Sequence, residues 1–81
     1  MNPILATLAG NVRTARRARG LSQEKLAELS DLDPTLISRI ERGLGNPALG
    51  TLLRIATALG ADLSTLLRTR TAPVAAGKSN S

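Results

Sequence analysis

Three of the four prolines in this 81-residue chain directly follow Asn or Asp, at Asn2-Pro3, Asp33-Pro34 and Asn46-Pro47, and each pair opens a segment with helically spaced apolar residues. An Asn or Asp side chain accepts free N–H groups of a helix's first turn, and proline suits the first helical position because no N–H is needed there. Gly20, Gly43 and Gly60 fall where the same three segments end, as suits a residue that readily adopts the left-handed conformation that closes many helices. Two more helices follow from weaker signals, one opening at Ser22 with Glu24 in its first turn, the other near Asp62. The chain therefore reads as all-α, with helices predicted over Pro3 to Arg19, Gln23 to Ser30, Pro34 to Arg42, Ala48 to Leu59 and Leu63 to Leu67.

The apolar spacing assigns the core. In the first helix Leu5, Leu8, Val12 and Ala15 share one face, and in the fourth Leu49, Leu52, Leu53, Ala56 and Leu59 form a core-facing stripe. From Thr69 to Ser81 the chain is rich in Thr, Ala, Ser, Gly and Pro. Such a stretch buries too little apolar surface to offset its ordering entropy. The expected organisation is one domain over residues 1–68 and a disordered tail over 69–81.

Composition narrows the function. The chain has no Cys and no His, so disulfides, thiolate metal sites and the commonest general base are excluded. No nucleophile–base pair or metal cluster can be assembled. The expectation is a non-enzyme without metal, cofactor or small-molecule ligand. The longest apolar runs are too short for a membrane span and the N-terminus lacks a signal-peptide pattern, so the expected location is the cytoplasm, with no membrane partner. A net charge of +5 favours a polyanionic partner. Phe, Trp and Tyr are all absent, and single-stranded nucleic acid is usually held by stacking on such rings. Duplex DNA is the better fit. A core this small supplies only about 3–5 kcal/mol, which favours self-association.

Between Ser22 and Gly43 two short helices are separated only by Asp31, Leu32 and Asp33, so they cross steeply. Leu26, Ala27, Leu32, Ile37 and Ile40 would pack the angle shut. Thr35, Ser38, Arg39 and Arg42 then share an outward face and carry groups that hydrogen-bond bases or phosphates. Asn46 is assigned equally to capping the fourth helix and to donating its amide to phosphate. Charge is uneven: residues 1–20 carry four Arg and no acid, whereas residues 21–47 carry three bases against five acids. The reading element itself is net negative, so phosphate contacts must come from individually placed groups and from a dimer.

The runs LSQEKLAELS, ISRIERG, NPALGTLLRIATALG and DLSTLL together resemble the Cro/C1-type, or XRE, helix-turn-helix family across roughly residues 8 to 67. In length the chain is also similar to the controller proteins of restriction-modification systems. The resemblance implies a compact, lambda-repressor-like five-helix domain whose third helix enters the major groove. It implies base reading by Thr35 and Arg39 flanked by Pro34 and Ser38, backbone contacts from Gln23, Arg42 and Asn46, and a structural salt bridge between Arg16 and Glu41. Asp31 stands where the family often has glycine, which points to a left-handed residue in the turn. Pro34 stands where the family often has a polar residue.

Leu63, Leu66 and Leu67 crowd a final helix too short to bury all three, and the resemblance tips their reading from core closure towards a dimer contact. The expected function is a homodimeric transcriptional regulator on a roughly palindromic operator, including its own promoter. The alternative is an antitoxin whose helix-turn-helix still binds DNA while its surface or tail holds a toxin.

Overall fold

The computed structural model describes residues 2–69. Five helices follow in order, α1 (Pro3–Ala18), α2 (Gln23–Ser30), α3 (Pro34–Glu41), α4 (Leu49–Leu59) and α5 (Leu63–Leu67), and no strand occurs among these residues. Apart from Thr69, the predicted tail lies outside the described residues.

Local chemistry sets most helix starts. The Asn2 side chain accepts from Ile4 N at 2.8 Å, the Ser22 hydroxyl from Lys25 N at 3.0 Å, and the Asp33 carboxylate from Thr35 N at 2.7 Å. At the end of α3, Gly43 has φ +74° and the Leu44 N–H returns to Arg39 O at 2.9 Å, which satisfies a terminal carbonyl. At the end of α4, Gly60 has φ +66°, and a Cβ there would meet the Arg19 guanidinium at 2.8 Å. That guanidinium donates to Leu59 O at 2.9 Å, closing the helix from outside.

The third Asx-Pro pair departs from expectation. Asn46 does not cap α4: the N-cap is Ala48, still extended at φ −69° and ψ 154°, with no side-chain cap. The chain stays extended for one residue beyond Pro47, and Asn46 is left exposed in the loop before the helix.

The buried face of α4 is also rotated from the predicted stripe. Leu52, Ile55, Ala56 and Leu59 are buried, whereas Leu49 and Leu53 are exposed. Both sets fit helical spacing and share three members. The helix packs mainly against α2 and α5, and Leu49 and Leu53 fall on the sector these neighbours leave open.

Around that face Leu8, Val12, Leu26, Ala27, Ile37, Ile40 and Leu66 complete one aliphatic core, with Ala15, Leu32 and Leu63 packed at its edge. Leu66 is 0% exposed. Its assignment to a dimer contact is therefore corrected: α5 packs on α1 and α4 and turns Leu66 inward to close its own domain. Leu63 is partly buried, and of the three only Leu67, at 41%, stands well exposed.

Candidate nucleic-acid interface

The turn between α2 and α3 depends on one residue in an unusual conformation. Asp31 has φ 58° and ψ 48°, and it is the only non-glycine residue with positive φ among those described. The left-handed conformation reverses the chain after α2, and the Leu32 N–H closes onto Ala27 O at 2.9 Å. Arg54 Nη1 from α4 donates to Asp31 O at 3.2 Å, tying the turn to the domain. Leu26, Ala27, Ile37 and Ile40 are buried in the angle between the helices.

With Ile37 and Ile40 inward, α3 presents Pro34, Thr35, Arg39 and Arg42 to solvent, and Ser38 is half-buried beside them. These are the sequence-predicted base-reading positions plus the C-cap residue Arg42, all on one short element. Asn46 is exposed in the following loop, and Gln23 is half-buried at the first position of α2. Arg39 forms no ion pair among the described residues, since the only two bridges there are Arg16–Glu41 and Lys25–Glu28. Its donors remain free for a partner. The guanidinium Nη2 lies 3.4 Å from where a Gly45 Cβ would stand, so the glycine gives the Arg39 head group room against the loop. The spacing patterns contain no signal for this.

Behind the exposed face, a polar network fixes α3. Arg16 Nε donates to Glu41 Oε2 at 2.6 Å and Nη2 to Oε1 at 3.0 Å, while Nη1 donates to Leu21 O at 2.8 Å. Gln23 Nε2 donates to the same Glu41 Oε1 at 3.0 Å. One carboxylate thus joins α1, α2 and α3. The hydrogen bond and charge of Glu41 hold the Arg16 guanidinium above the usual arginine range, although burial acts in the opposite direction. Arg13, not singled out by the sequence, adds a bond from Nη1 to Glu41 O at 2.7 Å at the end of α3.

The network alters the meaning of the net-negative charge count. Glu41 is neutralised internally by Arg16, Glu28 is paired with Lys25 at 3.3 Å on α2, and Asp33 faces the N-terminus of α3 as its cap. The exposed face of α3 itself carries only arginine charge, at Arg39 and Arg42. No group of three or more His, Cys, Asp or Glu among the described residues is placed to hold a metal ion, and no described helix is long and apolar enough to cross a membrane.

Residues 12–66 match the helix-turn-helix family. Among curated proteins, the control protein C.SmaI of Serratia marcescens is 47% identical over 60 residues, spanning 74% of this chain and 71% of that protein. Other relatives are longer, and the match covers 52% of an uncharacterised helix-turn-helix regulator of Haemophilus influenzae. Among solved structures, a hypothetical transcription factor from Neisseria superposes with a TM-score of 0.80 at 40% identity, covering 83% of this chain and 77% of that one. The restriction-modification controller protein C.AhdI of Aeromonas hydrophila superposes with a TM-score of 0.75 at 42% identity, covering 76% and 94%.

Proposed function

As the chain belongs to the helix-turn-helix family of DNA-binding transcriptional regulators, we propose that it acts as a homodimer on roughly palindromic operator DNA near promoters, its own among them. The carrying observation is the exposed face of α3, where Thr35 and Arg39 stand outward on a helix held from behind by Arg16, Gln23 and Glu41. In this reading Thr35 and Arg39 read base edges, with Pro34 and Ser38 beside them. A guanidinium with no protein partner suits bidentate recognition of guanine. Gln23, Arg42 and Asn46 touch the phosphate backbone.

Regulation is by occupancy: a bound dimer blocks polymerase at a promoter or helps recruit it. Similarity to the controller protein of Aeromonas hydrophila and the control protein of Serratia marcescens supports a role beside restriction-modification genes. Two copies related by a two-fold axis would set their recognition helices one DNA turn apart, about 34–36 Å.

Selection of bound sequences from random duplexes tests this reading. Two inverted half-sites spaced by about one turn are expected. In gel-shift titrations, Arg39→Ala is expected to lose about 1–3 kcal/mol of discrimination between the selected site and random duplex. Enrichment of no sequence, or unchanged discrimination in Arg39→Ala, would remove this assignment of the base-reading face.

A further inference from the structure

The residue that carries the unpaired guanidinium also anchors the loop that follows it. Arg39 O accepts from Arg42 N at 3.1 Å and from Leu44 N at 2.9 Å. The chain turns there through two left-handed glycines, Gly43 at φ +74° and Gly45 at φ +78°. Gly43 is buried, whereas Gly45 is exposed. The loop thereby returns alongside the Arg39 side chain, and a Cβ on Gly45 would stand 3.4 Å from Arg39 Nη2 and 3.8 Å from Nε. At those distances the Cβ itself fits, and a polar group attached to it comes within reach of both donors.

Backbone conformation alone does not demand glycine at position 45. Asp and Asn tolerate the left-handed region better than most residues, and Asp31 occupies it in this same chain at φ 58°. What sets position 45 apart is the neighbour its side chain would meet. Nε and Nη2 form one paired edge of the guanidinium, the kind of fork that grips guanine through two parallel hydrogen bonds. An acceptor at position 45 would compete for that edge.

We propose that Gly45 is a specificity-determining residue of the DNA-binding face. By carrying no side chain it keeps the Nε–Nη2 edge of Arg39 open to a base, and a carboxylate or amide at this position would hold the guanidinium against the loop instead. The inference rests on the base-reading role of Arg39 and deepens it. The identity of the α3 residue is then only half of the recognition element, and the bare loop opposite it is the other half.

The test is gel-shift titration of the full chain, with circular dichroism to establish folding. The probes are the duplex that the wild type enriches from a random pool, that duplex with each base pair replaced in turn, and random duplex. Arg39→Ala identifies the base pair it reads, where discrimination is expected to fall by roughly 5- to 150-fold. Gly45→Asp is expected to lower discrimination at the same base pair by about two- to fivefold, the population shift that an exposed ion pair brings. That loss should shrink as added salt screens the pair. Gly45→Asn, of the same shape without the charge, should lose less at the same base pair, and Gly45→Ala should keep wild-type discrimination.

Two controls separate this role from backbone strain. In the Arg39→Ala background Gly45→Asp should cause no further loss of discrimination. Gly20→Asp introduces the same residue at another left-handed glycine, φ +68°, whose Cβ would meet nothing within 4 Å, and should leave discrimination unchanged. A loss in Gly45→Asp that persists without Arg39, falls at a different base pair, or is matched by Gly45→Ala or Gly20→Asp overturns the proposal. So does wild-type discrimination in both Gly45→Asp and Gly45→Asn. Unchanged discrimination in Arg39→Ala would instead overturn the base-reading role itself, a result distinct from failure at position 45.

Discussion

Arg16 on α1 and Glu41 on α3 meet across 25 positions of sequence at 2.6 Å, with side-chain exposures of only 10% and 3%. Water contributes little to solvating either charge. Replacing one partner leaves the other buried and uncompensated, so Arg16→Ala or Glu41→Ala should each lower stability by about 3–5 kcal/mol, against at most about 1 kcal/mol for an exposed pair. Urea titration measures the difference. The double replacement Arg16→Met with Glu41→Leu should recover much of the loss. Because pairing raises the Arg16 pKa in the folded state, its stabilisation is fully present below the usual arginine value and lost only as pH rises through the raised one. The Arg16 contribution should be constant across neutral pH.

Asp31 occupies the left-handed region at φ 58° with its side chain exposed, and only its backbone is tied to α4. Asp31→Gly removes the Cβ penalty and should stabilise the fold by about 0.5–1 kcal/mol, the gain being limited by the greater freedom of glycine in the unfolded chain. Asp31→Val should destabilise it. The order of the three thermal midpoints checks this.

Leu66 and Leu67 are adjacent yet should behave differently. Leu66→Ala opens a cavity in the core and should cost about 2–5 kcal/mol of stability. Leu67→Ala should cost less than about 1 kcal/mol to the isolated fold. Denaturation at high dilution, where self-association is minimal, separates the two.

Salt dependence should separate the backbone contacts by chemistry. Operator affinity is expected to fall steeply with salt, and Arg42→Ala should reduce the slope of log affinity against log salt by about one. Gln23→Ala and Asn46→Ala remove neutral donors and should weaken binding while leaving that slope unchanged. A flat salt dependence in the wild type would contradict phosphate contact.

The sequence by itself determined where α1, α2 and α3 begin, because their signals are local. Ser22, Asp33 and Asn2 bond to N–H groups within three residues, Asp31 tolerates the left-handed turn, and alternate faces of α3 are separated by simple periodicity. The pairing of Arg16 with Glu41 was legible only through family resemblance. Tertiary structure decided the rest. Asn46 was left outside α4, whose N-cap Ala48 has no side-chain cap, and Ile55 displaced Leu49 and Leu53 from the core because α2 and α5, its main neighbours, cover one sector of that helix. Spacing cannot distinguish overlapping apolar stripes until neighbours choose between them. The same limit applied to α5, where three leucines at plausible dimer positions were divided by packing into Leu66 inside, Leu63 at the core's edge and Leu67 outside. Asn11, Arg13, Gly45 and Arg54 gave no local sign of their contacts. Their partners lie in distant segments, and only the folded chain brings them within hydrogen-bonding or van der Waals distance.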